Sequence, residues 1–130
     1  MEPYILVVDN NPMNLEFVRY LLTAKGYTVK TASSVNRGLD LLRESTPCLI
    51  LSDLNLPERN GFDFLKKVKE VSEWKDIPFC LISATSYLQM DVARARKMGA
   101  SKYLFRPIEP QTLMNEIEPY LEVYSSQSRN

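Results

Sequence analysis

Residues 48–61 read CLILSDLNLPERNG: an apolar run, Cys48-Leu49-Ile50-Leu51-Ser52, ends on Asp53 and passes directly into a turn-rich stretch. Continuous apolar character without alternation is the pattern of a strand covered on both faces, as in a parallel sheet flanked by helices. Asp53 is then a charged group held at the mouth of a buried strand. Three more apolar runs end on polar groups: YILVV (4–8) on Asp9-Asn10, PFCLI (78–82) on Ser83-Ala84-Thr85, and YLF (103–105) on Arg106-Pro107. Four strands that each finish in a polar side chain imply one shared site.

Strand-length runs alternate with helical patterns along the chain, which predicts repeated βα units and a mostly parallel sheet of five strands and five helices. The first strand spans Tyr4 to Val8. Asn11-Pro12 then offers an N-cap followed by a proline at the first helical position, where its missing N–H costs nothing. Met13, Phe17, Val18, Leu21 and Leu22 form the expected buried stripe, and Lys25-Gly26 stops the helix. A short second strand covers Thr28 to Thr31. Ser34 caps a second helix with Val35, Leu39 and Leu42 inward, and Asn60-Gly61 opens a third carrying Phe62, Leu65 and Val68. The runs Cys48 to Ser52 and Phe79 to Ile82 are the sheet centre. Ser86-Tyr87-Leu88-Gln89 has capping-box spacing for a fourth helix whose Leu88, Val92, Ala95 and Met98 face the sheet, and Gly99 ends it. A fifth helix begins near Pro110 and buries Leu113, Ile117 and Leu121. Pro119 falls inside it, deleting a hydrogen bond and predicting a kink or break. The expected domain covers residues 1–124, with Ser125 to Asn130 a frayed polar tail.

Composition narrows the function classes. A chain of 130 residues suits one domain, and 16 basic side chains balance 16 acidic ones, so no basic excess draws it to nucleic acid or an anionic membrane. No apolar stretch approaches the roughly 20 residues of a membrane span, and no signal-peptide pattern opens the chain. It reads as soluble and cytoplasmic, without a nucleic-acid or membrane partner. The absence of histidine removes the most versatile metal ligand and general base, so zinc hydrolase and Ser-His-Asp schemes are excluded, and any phosphohistidine must come from another molecule. Cys48 and Cys80 sit inside apolar runs, where a thiol behaves as a small hydrophobe.

In open α/β sheets ligands bind beyond the carboxyl ends of the strands, where Asp9, Asp53, Ser83 and Arg106 fall. A hard divalent ion such as Mg²⁺ favours oxygen donors, which Asp9, Asp53 and a backbone carbonyl supply. Phosphoryl transfer asks mainly for an in-line nucleophile and stabilisation of charge on the equatorial oxygens. Asp53 can attack, the metal and Arg106 can neutralise, and Ser83 can donate a hydrogen bond.

On VVDN, DLNLPERNG, ISA and GASKYLFRP, in that order and at that spacing, the chain resembles the receiver domains of two-component response regulators over residues 3 to 122. The resemblance implies a flavodoxin-like, doubly wound five-stranded parallel sheet of order 2-1-3-4-5. It implies a switch in which Asp53 accepts a phosphoryl group from a histidine kinase or phosphotransfer protein and passes the signal to an effector domain or protein, with homodimerisation as one mode. It implies Mg²⁺ held by Asp9, Asn10, Asp53 and the Asn55 carbonyl. Ser83 and Ala84 would line the phosphoryl-binding side with Arg106, Tyr103 would be the switch aromatic, and Asn55 and Thr85 would modulate loss of the phosphoryl group. A cis Arg106-Pro107 bond is also implied. No turnover of an external substrate is expected.

Two departures from the family pattern stand out. Asn10 replaces a second carboxylate, which weakens the hold on a divalent cation. Arg106 replaces a lysine and is longer, planar and always protonated. At rest it is expected to pair with Asp53 or Asp9 and partly occupy the metal's place. Together they motivate an alternative, a pseudo-receiver that binds partners without phosphorylation. Leu56 for the usual methionine of the acceptor loop is harmless. Each residue also has a plain structural reading: Asn10 as a cap for the first helix, Tyr103 as a core aromatic, Arg106 as an ion-pair partner. A haloacid dehalogenase-like phosphatase would need an aspartate where Asn11 stands, and DNNPMN (9–14) is no phosphate-cradling loop for a flavin or dinucleotide.

Overall fold

The computed structural model describes residues 3–84 and 89–129. Along the chain these form β1 (Ile5–Val8), α1 (Pro12–Ala24), β2 (Val29–Ala32), α2 (Val35–Glu44), β3 (Leu49–Asp53), α3 (Gly61–Glu70), β4 (Phe79–Ser83), α4 (Gln89–Lys97), β5 (Lys102–Phe105) and α5 (Pro110–Arg129). The strands pair in parallel in the order β2-β1-β3-β4-β5, the doubly wound arrangement expected from the sequence. β1, β3 and β4 are buried throughout and occupy the interior of the sheet, while β2 and β5 are half-buried edges.

Alternate residues of each strand feed opposite cores, as the two-residue period of a strand requires. Ile5, Val7, Leu49, Leu51, Cys80 and Ile82 pack under α1 and α5 with Val18, Leu22, Leu113 and Ile117. Leu6, Val8, Ile50, Phe79 and Leu81 face the other way, against Leu39 and Leu42 of α2, Phe64, Leu65 and Val68 of α3, and Ala95 of α4. On that side Phe64 and Phe79 meet edge to face, with ring centroids 5.4 Å apart.

Local chemistry sets the helix ends. Asn11 caps α1, its Oδ1 accepting from Met13 N at 2.9 Å and Asn14 N at 3.3 Å. At the other end Gly26, at φ 94°, takes the left-handed position that an L side chain resists. Its N–H bonds Thr23 O and that of Tyr27 bonds Leu22 O, which closes the helix with a Schellman motif. Ser34 caps α2, and Asn60 with Asp63 forms a reciprocal capping box on α3. The capping box expected at residues 86–89 lies outside the described residues, as does Leu88.

Three expectations change. The stripe of α1 is rotated: Val18 and Leu22 are buried and Leu15 and Leu21 partly so, whereas Met13 is 81% and Phe17 45% exposed. With Asn11 fixing the first turn, the sheet-facing spacing is 15, 18, 22, and residues 13 and 17 fall on the flank. No break occurs at Pro119, which lies inside an uninterrupted α5. The polar stretch from Ser125, expected to fray, continues that helix to Arg129. A smaller adjustment concerns Cys48, which is half-buried rather than buried.

Candidate functional site

The sheet's strand order reverses between β1 and β3, and the crevice at this switch point is where such sheets bind ligands. Val8 pairs with Ser52, so the next residues, Asp9 and Asp53, emerge side by side. On the other flank Ser83 pairs with Phe105, which delivers Arg106 to the same edge. The backbone ladder extends past the strands: Asp9 N bonds Ala32 O at 3.0 Å, Leu54 N bonds Ile82 O at 2.8 Å, and Arg106 N bonds Ser83 O at 2.8 Å.

Asp9 is 2% exposed and both its oxygens are engaged. Oδ1 accepts from Asn11 N at 2.9 Å, and Oδ2 accepts from Arg106 Nη2 at 2.8 Å. The sequence left Arg106 with either aspartate; it pairs with Asp9, its side chain 20% exposed. Arg106 Nε is buried and has no acceptor among the described residues. Asp53 is 8% exposed, and its Oδ1 accepts from Asn55 N at 3.1 Å. Burial raises the Asp53 carboxyl above the ordinary range, the Asn55 N–H pulls it down, neighbouring Asp9 raises it further, and Arg106 lowers it. Two carboxylates held this close, with one arginine between them and neutrality, are an electrostatic load that a cation relieves.

Ser83 is buried at the end of β4, and Ala84 beside it is exposed. Tyr103 is half-buried on β5 and tilts onto Phe105, centroids 5.1 Å apart. Burial raises its hydroxyl pKa and a hydrogen bond with Ser83 draws it back, so Tyr103 reaches the neighbourhood of the site. Asn10 and Asn55 are exposed in the loops after β1 and β3. The capping reading of Asn10 does not hold, because Asn11 fills that role. Thr85 lies outside the described residues. The Arg106-Pro107 bond is cis, as expected. Both thiols are held protonated by burial, Cys48 pushed up to about 11 and Cys80 to about 12, which leaves neither as a nucleophile.

Two participants had no reading as site residues in the sequence. Asn11 supplies the N–H that holds Asp9, a by-product of its capping turn. Gly61 opens α3 against the Asp53 backbone, where an added Cβ would lie 2.8 Å from Asp53 O and from Leu81 Cδ2. It read only as a helix start, since close approach of two backbones leaves no trace in a single sequence.

An open parallel sheet with two buried carboxylates, a hydroxyl and a guanidinium at its switch point defines a doubly wound module built to handle anions and cations together. The response regulator receiver domain family model matches residues 5–118, and the chain belongs to that family of two-component signalling modules. The polar-differentiation response regulator DivK of Brucella ovis is 34% identical over 122 residues, covering 93% of this chain and 98% of that one. Among solved structures, the chemotaxis response regulator CheY4 of Vibrio cholerae superposes with a TM-score of 0.85 at 27% identity, over 93% of this chain and all of that one. The receiver domain of a histidine kinase from Syntrophus aciditrophicus gives 0.84 at 25% identity, covering 93% of this chain and 91% of that one.

Receiver domains generally bind Mg²⁺ at the phosphorylation site, and the residues here fit such an ion. Asp9 and Asp53 offer hard oxygen donors, and their mutual repulsion is of the kind a divalent cation removes. Among the described residues no group of three or more acidic, histidine or cysteine side chains comes together, so Asn10 leaves a two-carboxylate site.

Proposed function

We propose that this receiver domain is a phosphorylation-dependent switch with Asp53 as the phosphoacceptor. The observation that carries this reading is the placement of the Asp53 carboxylate: buried, beside Asp9, at the switch point, and within the electrostatic reach of Arg106. Its Oδ1 is held by Asn55 N, which orients the group and leaves the second oxygen to attack. That oxygen forms a bond to the phosphorus of a phosphohistidine as the P–N bond breaks, and the departing imidazole keeps the bonding pair and takes up a proton. With no histidine in this chain, the donor is a histidine kinase or phosphotransfer protein.

Asp9, Asp53, the Asn10 amide and the Asn55 carbonyl would hold Mg²⁺, which supplies neutralisation of the phosphoryl oxygens. Arg106 is the chain's own cation for that charge, and Ser83, on the same flank of Asp53, donates a hydrogen bond. Tyr103, bonded to Ser83, couples the site to the surface of α4, β5 and α5, where an effector or a second copy reads the state. Ala84 leaves the adjacent position open, and Asn55 and Thr85 are the side chains that modulate loss of the phosphoryl group. The protein works in the cytoplasm, where such kinases present their phosphohistidine.

A second reading, a pseudo-receiver that binds partners without phosphorylation, draws on the Arg106–Asp9 ion pair and on Asn10. Beryllofluoride with Mg²⁺, followed by amide NMR, separates the two. A switch shows saturable shifts at Asp53, Ser83 and Tyr103 that vanish in Asp53→Ala. An unchanged spectrum at millimolar metal overturns the phosphoacceptor reading.

A further inference from the structure

Each oxygen of the Asp9 carboxylate already holds a donor before any metal arrives: Asn11 N on Oδ1 at 2.9 Å and Arg106 Nη2 on Oδ2 at 2.8 Å. A divalent ion that binds through Asp9 therefore competes with the guanidinium for the same carboxylate. The arginine itself is only partly used. A guanidinium carries five donors in a planar fork, yet among the described residues the buried Arg106 Nε has no acceptor. A buried N–H left unpaired costs stability, so this donor has reason to take any acceptor that enters the crevice. The backbone cannot follow such a move, because Arg106 N is bonded to Ser83 O at 2.8 Å. Only the side chain is free to turn.

Charge points the same way. At rest, Arg106 cancels one of the two carboxylates and leaves a single negative charge at Asp53, a weak lure for a divalent ion. A phosphoryl group on Asp53 adds negative charge and equatorial oxygens, the acceptors a guanidinium fork binds best.

We propose that Arg106 is a positioning residue that gates the metal: it holds Asp9 and keeps divalent-cation affinity low, and a phosphoryl group draws it away and releases Asp9 to the ion. The second half rests on the assignment of Asp53 as phosphoacceptor; the competition for Asp9 does not. Metal and phosphoryl group then bind with positive coupling, each tightening the other by the same factor.

The test is Mg²⁺ titration of the full chain by amide NMR, with the Arg106 Nε–H resonance followed in the wild type and affinities compared in Arg106→Gln and Arg106→Lys. The expected result is that Arg106→Gln binds Mg²⁺ at least about fivefold more tightly than the wild type, and that Arg106→Lys, which keeps the charge but loses the fork, also tightens. The wild-type Nε–H resonance moves in step with the Asp9 amide on adding metal, and beryllofluoride raises wild-type Mg²⁺ affinity more than that of Arg106→Gln. Affinities within about twofold across all three proteins, with a stationary Nε–H resonance, overturn the proposal. Tightening in Arg106→Gln alone, with that resonance still stationary, reflects charge without displacement and also overturns it. The Nε–H measurement needs no variant, so misfolding of one cannot hide the answer. Failure of beryllofluoride to bind while metal still displaces the guanidinium removes the Asp53 assignment and leaves the competition standing.

Discussion

Gly61 begins α3 in direct contact with the backbone of Asp53: a Cβ on it would lie 2.8 Å from the Asp53 carbonyl oxygen and 2.9 Å from Leu54 Cα. The Gly61 N–H also bonds Leu54 O at 2.8 Å, so the loop that leaves Asp53 returns to brace it. The candidate phosphoacceptor is thus held from below by a helix start and from the side by Asn55.

Gly61→Ala tests this brace. Alanine would gain roughly 0.5–1 kcal/mol of helix propensity, but neighbours that are backbone cannot yield, and overpacking of this kind costs about 1–3 kcal/mol. A net loss of stability is expected in urea denaturation, together with displaced amide resonances at Asp53 and Leu54. Higher stability than the wild type would show that the contact relaxes.

Asp53 itself should cost stability. Its carboxyl is raised from 3.8 mainly by burial, so the folded state resists ionisation that the unfolded chain accepts. Below pH 3.8 both states are protonated and no difference arises; as pH rises through the higher folded value the penalty appears, and above it the penalty is complete. Asp53→Asn is expected to be more stable than the wild type at pH 7 by about 1 kcal/mol, with the gap closing as pH falls toward 3.8. Thermal unfolding of the two proteins across pH checks both the sign and the direction of closure.

Glu58 sits in the same loop at φ 64°, in a tight turn where Arg59 N reaches Pro57 O at 2.6 Å. The left-handed region costs an L residue about 1–2 kcal/mol, while glycine loses roughly 0.5–1 kcal/mol to chain entropy. Glu58→Gly is therefore expected to stabilise by about 0.5 kcal/mol. Chemical denaturation reads the gain, and unchanged Asp53 resonances would show that the loop keeps its shape.

At the exposed loop after β1, Asn10→Asp restores a third carboxylate to the candidate metal site. Mg²⁺ affinity is expected to rise about tenfold or more, since a full charge a few ångströms from a divalent ion outweighs an amide dipole. Calorimetric titration checks it, and equal affinity would place residue 10 outside the coordination sphere.

The strand ends were legible because burial and charge conflict there: Asp9, Asp53 and Arg106 each interrupt an apolar run, and the parallel register then has no choice but to bring them together. Helix caps at Asn11, Ser34 and Asn60 were legible for the same local reason. The phase of α1 was not, because Met13 and Phe17 are apolar by composition and only the packed sheet decides which flank faces it. Nor could Pro119 be read as tolerated: its place on an exposed face of α5 is a tertiary fact. Whether Arg106 would choose Asp9 or Asp53 turns on distances that no spacing encodes.

The three backbone bonds that run past the strand ends, Asp9 to Ala32, Leu54 to Ile82 and Arg106 to Ser83, enrol the site in the sheet's own cooperative unit. The Leu54 bond lies between the interior strands β3 and β4, while those of Asp9 and Arg106 tie the interior to the edge strands β2 and β5, so the Leu54 amide exchanges with solvent only as slowly as the core does and the other two exchange faster, as the sheet edges open. The proposed switch then moves side chains and the loops beyond, within a frame that keeps its shape.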